Sequence, residues 1–138
     1  MFKNKPLPME EIVKFCKGAS SLLTIGFSLE AVIEILYLQT RSKKMKKSLI
    51  IIYDDLKNGI TFSDALLRQS NLFPDIMLNL IGLGETTGLL NETLFSVGSR
   101  LENDMYFKNR IVQSIMYPMF YSLFITCIVL LMIINFRV

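Results

Sequence analysis

Between Arg110 and Arg137 lie 26 consecutive residues, Ile111 to Phe136, without a single charge. As an α-helix that run reaches roughly 39 Å, more than the roughly 30 Å thickness of a bilayer's hydrocarbon layer. Its core, Ile115 to Ile134, is dense in Ile, Leu, Met and Phe, and Tyr117 and Tyr121 stand toward one end as interfacial aromatic residues would. The helix interior of a soluble core seldom runs this long uncharged, so the segment is read as a membrane span. Lying far from Met1, it is read as neither a signal peptide nor a transit sequence. Lys108, Arg110 and, further back, Arg100 precede the span and only Arg137 follows it, so the positive-inside rule expects the preceding part in the cytoplasm. Asn91-Glu92-Thr93, a formal glycosylation sequon, is then a chance match.

The rest of the chain sets the other limits. A length of 138 residues suits one domain, read here as residues 1–110, followed by the span at 111–136 and a tail at 137–138. Histidine is absent, which removes the commonest general base and the commonest zinc or iron ligand together. Triads and histidine-based metal sites are therefore excluded. Cys16 and Cys127 form no CxxC and argue against a disulfide framework, a redox pair or a zinc knuckle.

Before the span, only the helical period recurs. Ile12, Phe15, Cys16, Ala19, Leu22 and Leu23 follow one helical face, which Gly26 ends. Ser28 is the expected N-cap of a second helix with the stripe Leu29, Val32, Ile33, Leu36 and Tyr37. A third starts near Ser42, carries Met45, Leu49, Ile52, Tyr53 and Leu56 on one face, and stops at Asn58-Gly59. Thr61-Phe62-Ser63-Asp64 reads as a capping box for a short fourth helix. Phe73-Pro74 opens a fifth, with Pro74 at the first helical position, the stripe Met77, Leu80, Ile81 and Gly84, and a stop at Gly88. The sixth is long: Leu90, Leu94, Val97, Leu101 and Met105 keep nearly heptad spacing, and no breaker intervenes before Tyr117-Pro118. The fold class is thus all-α, a six-helix cytoplasmic bundle whose last helix continues into the span, with a kink expected at Pro118.

Chemistry-bearing motifs are few. Gly82-Leu83-Gly84-Glu85-Thr86-Thr87-Gly88 superficially resembles a dinucleotide fingerprint, but it reads GxGxxxG and follows a helical run where a strand is required. It is better read as a turn between packed helices. No phosphate-cradling GxxxxGK[ST] is present. Glu85 and Glu92, seven apart, and the adjacent Asp54 and Asp55 could lend oxygen ligands to a hard cation, yet nothing approaches a dense acidic loop. Solvated or capping roles are favoured for them, and no cofactor is expected. The densest charge feature is Arg41, Lys43, Lys44, Lys46 and Lys47, five basic residues in seven. It suits either anionic lipid or an acidic partner, or simply a solvated helix start. With no interleaved aromatic residues and a net charge of only +3, direct nucleic-acid binding is not expected.

A wider pattern lies in the order of these pieces. Gly59, Ser63-Asp64-Ala65-Leu66, Phe73-Pro74, Leu80-Ile81, Gly84-Glu85-Thr86-Thr87-Gly88-Leu89-Leu90, Leu94, Glu102, Lys108 and Tyr117-Pro118 together resemble the F-protein family of type II secretion systems. That family includes the inner-membrane platform proteins of type IV pili and competence pseudopili. The GE-x-x-G-x-L element, a long helix and then Tyr-Pro form a specific combination, and the resemblance covers residues from about 10 to 138. It implies a six-helix cytoplasmic domain that self-associates, lodged in the bacterial cytoplasmic membrane. It implies a platform role without catalysis, in which a cytoplasmic assembly ATPase and pilin-like and minor assembly proteins are the partners. By the same resemblance Gly59, Phe73, Pro74, Gly84, Glu85, Gly88, Leu90, Tyr117 and Pro118 are structural or interface residues.

The family pattern differs in one respect, because its members carry two copies of this domain and about three spans. Here no second GE-x-x-G or Phe-Pro element occurs. The sequence is therefore expected to correspond to a truncated or interrupted form, or to one that associates with a separate second half. Two other functions remain open on the residues alone: a membrane-anchored helical adaptor or regulator unrelated to secretion, and a membrane-bound enzyme using carboxylates and a metal.

Overall fold

The computed structural model describes the backbone of residues 5–138 and the side chains of residues 5–108, 110 and 118–138. Six α-helices follow in order among them: α1 (Met9–Ile25), α2 (Leu29–Gln39), α3 (Lys43–Lys57), α4 (Phe62–Leu67), α5 (Asp75–Thr87) and α6 (Leu90–Phe136). No strand is present among the described residues.

The starts and stops obey local chemistry. The Ser28 Oγ accepts from the Ala31 N–H at 3.4 Å and the Ser42 Oγ from the Met45 N–H at 3.3 Å, so each hydroxyl satisfies one of the donors that a helix leaves open at its first turn. At α1's end, the Gly26 N–H donates to the Leu23 carbonyl and the Phe27 N–H to the Leu22 carbonyl, the paired closure of a Schellman turn. Pro74 differs from expectation by one position. It is the N-cap of α5, with ψ 142°, and its carbonyl accepts from the Met77 and Leu78 N–H groups, while Asp75 takes the first helical place.

The chain forms two compact units, Met1–Glu102 and Asn103–Val138. In the first, one side chain after another from the predicted stripes meets in a single core. Ile12, Ile33, Leu49, Ile52, Phe62, Leu66, Met77, Ile81 and Leu94 are all fully enclosed. Each such large side chain contributes roughly 1.5–3 kcal/mol relative to exposure, so the stripes account for why short helices hold together. Phe15 sits at the centre, its ring 6.4 Å from those of both Phe62 and Phe73, and the Cys16 Sγ lies 4.0 Å from the Met77 Sδ. The α1–α6 packing is close. A Cβ on Gly98 would stand 3.1 Å from both the Cys16 Cβ and the Lys17 Cγ, and Lys17 is ion-paired with Glu102.

Two polar groups ride on the apolar stripe of α3. Ser48 and Asp55 are buried beside Met45, Leu49 and Ile52. The Arg68 Nη1 meets one Asp55 carboxylate oxygen at 2.9 Å, and the buried Gln69 Nε2 donates to the Ser48 carbonyl at 3.3 Å. These bonds seam α3 to the end of α4. The Cys16 thiol, enclosed by apolar neighbours, has its pKa pushed up to about 12 by burial.

In the second unit, Pro118–Phe136 is a 19-residue stretch long and apolar enough to cross a membrane, with mean hydropathy 2.3 and none of it buried. Pro118 lies inside α6, which stays helical from Leu90 to Phe136. The interfacial placement expected of Tyr117 concerns a side chain outside the described residues.

Candidate functional site: the helix junction at Gly84-Glu85 and the basic α2–α3 turn

The Gly84-to-Gly88 element ties three helices together, and each of its marked residues does a different task. Gly88 lies at φ 75°, in the left-handed region that costs an L-residue about 1–2 kcal/mol and glycine almost nothing. That turn lets the Leu89 N–H donate to the Gly84 carbonyl at 2.9 Å and the Gly88 N–H to the Glu85 carbonyl at 3.4 Å, closing α5 so that α6 starts two residues later. Gly84 is buried on the side facing α6. A Cβ there would come within 2.7 Å of the Thr93 Cβ, so only glycine admits so close an approach. The Thr93 hydroxyl itself donates to the Leu89 carbonyl at 2.8 Å.

Glu85 points to the third helix. Its Oε1 accepts from the Phe62 N–H at 2.8 Å, and its Oε2 accepts from the Ser63 N–H at 2.8 Å and the Ser63 hydroxyl at 2.6 Å. A carboxylate at the positive end of α4 is thus both a hydrogen-bond acceptor and a favourable charge. Thr61 supplies the local half of the cap, its Oγ1 accepting from the Asp64 N–H at 3.2 Å. The capping box expected at Thr61 to Asp64 is therefore completed differently. The acid that answers Thr61 comes from α5, because the free N–H groups of Phe62 and Ser63 face Glu85 across the packed interface.

The other expected motif residues take these places. Gly59 is the left-handed stop of α3 at φ 79°, with the Ile60 N–H donating to the Asp55 carbonyl at 3.0 Å. Phe73 is buried against Phe15, Pro74 caps α5, and Leu90 opens α6 half-buried. Glu92 is exposed in the first turn of α6. Glu85 has both oxygens engaged with α4, and no group of three His, Cys, Asp or Glu side chains poised to hold a metal ion occurs among the described residues.

The basic cluster frames the α2–α3 turn. Arg41, Lys43 and Lys47 are exposed, and Lys44 and Lys46 half-exposed. Lys46 lies over the Tyr37 ring, 5.4 Å from its centroid. None of the five is ion-paired among the described residues. The first turn of α3 holds no acid, so these cations stand at the helix's own positive end, each costing about 0.3–1 kcal/mol at low ionic strength. Leu38, at the last turn of α2 beside them, is 72% exposed.

Sequence reasoning missed the buried Asp55 with its Arg68 and the part of Gly98 and Lys17 in α1–α6 packing. The signal for Asp55 was present, since it continues the Met45, Leu49, Ile52 spacing by one further helical step.

Residues 15–136 match the family model for type II secretion system protein F. Among curated proteins, the type II secretion system protein F of Xanthomonas campestris pv. campestris is 25% identical over 133 residues, 96% of this chain and 33% of that protein. The type IV pilus assembly protein PilC of Thermus thermophilus is 28% identical over 116 residues, covering 84% of this chain and 28% of that one. The protein transport protein HofC homolog of Escherichia coli is 31% identical over 99 residues, 72% of this chain and 25% of that protein. The chain thus spans a third or less of the length of these relatives. With the Gly84-Glu85-to-Gly88 junction, the six helices and the apolar end of α6 all inside the matched region, the chain belongs to the type II secretion system protein F family.

Proposed function

We propose that this protein is a non-catalytic platform component of the bacterial cytoplasmic membrane that couples a cytoplasmic assembly ATPase to the insertion of pilin-like subunits into a fibre. Residues 1–110 form its cytoplasmic domain and residues 111–136 its membrane span. The single observation that carries the reading is family membership across residues 15–136, within which one helix, α6, holds both core residues Leu94, Val97 and Leu101 and the apolar stretch Pro118–Phe136. Supporting it, Lys108 and Arg110 precede the apolar stretch and Arg137 follows, which favours the bundle on the cytoplasmic side.

Glu85, Gly84 and Gly88 are structural residues in this reading. They fix α4 and α5 against the start of α6, so that a push on the bundle is carried into the helix that enters the lipid. No catalytic residue is assigned. The fibre could belong to secretion, a type IV pilus or a competence pseudopilus. Cross-linking in native membranes followed by purification of the full chain tests the proposal. Capture of an assembly ATPase and prepilin-like proteins, or of a second copy with them, is expected. A chain that captures neither class from its own cell would refute the platform role.

A further inference from the structure

We infer that the α2–α3 turn is a peripheral membrane contact: Leu38 and the cations that follow it rest on anionic lipid headgroups. This rests on the membrane-embedded reading above. Three observations on the same turn converge. Arg41, Lys43, Lys44 and Lys47 are solvent-facing or half so, lack ion-pair partners among the described residues, and lie in a stretch from Gln39 to Tyr53 that contains no acid. Such an arrangement is self-repelling and sits at the unfavourable end of α3, and an external layer of negative charge reverses both penalties. Leu38, three residues before Arg41 at the end of α2, is 72% exposed, although Val32, Ile33 and Leu36 on the same helix are buried.

An exposed leucine followed within the same turn by a run of cations fits the boundary between headgroups and acyl chains, where apolar area and positive charge are satisfied together. The occupant is a lipid surface rather than an acidic protein because the chain itself carries the apolar stretch Pro118–Phe136, which tethers it to a bilayer, and the cytoplasmic leaflet is negatively charged. Lys46 is not part of the contact, since it is occupied over Tyr37.

The test uses the full chain reconstituted in vesicles of phosphatidylcholine alone or mixed with phosphatidylglycerol. An environment-sensitive fluorophore is placed at Leu38→Cys in a Cys127→Ser background, Cys16 being buried, and nitroxide-labelled lipid serves as the quencher. Quenching that requires phosphatidylglycerol and fades as salt is raised is the expected result. Lys43→Gln and Lys47→Gln should each lower the docked-to-free ratio about five-fold. Absence of quenching in both vesicle types, or equal and salt-insensitive quenching in both, overturns the inference. So does carbodiimide cross-linking of these lysines to an acidic protein in native membranes when vesicles give no quenching. Alkaline extraction separates the two levels. A chain released from vesicles by carbonate refutes the membrane-embedded reading itself, whereas a retained chain with an unquenched probe refutes only the lipid contact.

Discussion

Glu85 offers the sharpest perturbation in the molecule because, among the described residues, its carboxylate is the only side chain that caps α4 from outside that helix's own sequence neighbourhood. Glu85→Ala leaves the Phe62 and Ser63 N–H groups without their acceptor and removes a negative charge from the helix's positive end. Phe62 is fully buried, so water reaches its N–H poorly, and each orphaned donor costs about 1 kcal/mol on the helix-capping scale. The lost charge–dipole attraction adds about 0.3–1 kcal/mol, giving about 2–3 kcal/mol in total. Glu85→Gln keeps one acceptor and turns the other atom into a donor facing an N–H, so about half the loss is expected. Ser63→Ala deletes only the hydroxyl bond and costs about 0.5–1 kcal/mol, leaving both backbone bonds intact. Hydrogen exchange of the full chain in micelles reads this directly, as faster exchange of amides in Phe62–Leu67. At about 1.4 kcal/mol per decade, Glu85→Ala should raise the opening of α4 about 30- to 150-fold. Exchange in α4 unchanged by Glu85→Ala, or a larger effect from Ser63→Ala than from Glu85→Ala, would refute the cross-helix cap.

Other changes report on neighbouring contacts. Gly84→Ala drives a methyl into Thr93 and should lower stability by about 1–3 kcal/mol in thermal melts of the full chain; adding Thr93→Ala should recover only part, because the Thr93 Cβ itself lies 2.7 Å from the new atom. Gly88→Val forces a β-branched residue into φ 75° and should cost about 1–3 kcal/mol, while Gly88→Asn, which tolerates that conformation, should cost clearly less; equal melting of the two variants would count against the turn. Cys16, alone after Cys127→Ser, should resist alkylation at mildly alkaline pH in the folded protein and react on unfolding. Its folded pKa of about 12 lies above the ordinary thiol value of 9.0, so above that ordinary value the unfolded state holds fewer protons; stability should fall from about pH 9 toward 12, and a flat profile there would contradict the burial.

The sequence by itself determined whatever rests on near neighbours along the chain. Twenty-six uncharged residues specify a lipid-compatible helix whatever surrounds them. The caps at Ser28, Ser42 and Thr61, and the glycine stops at Gly26, Gly59 and Gly88, were legible because a cap or a left-handed turn is made by residues within about one helical turn. The stripes named most of the core for the same reason.

Tertiary structure alone decided what joins distant segments. That Glu85 caps α4 depends on bringing Phe62 and Ser63, 23 and 22 residues away, to within 2.8 Å of one carboxylate. Gly84 sits on the α5 stripe in the sequence, as a glycine in a junction between packed helices; only the fold shows that Thr93 of α6 is what it meets. Asp55 reads in the sequence as a solvated carboxylate although it continues the α3 stripe; that its buried charge meets Arg68, at the end of α4, was decided by the packing. A periodicity can say that a position faces inward; only the packed neighbour sets whether a charge there finds a partner and whether a backbone there must do without a Cβ.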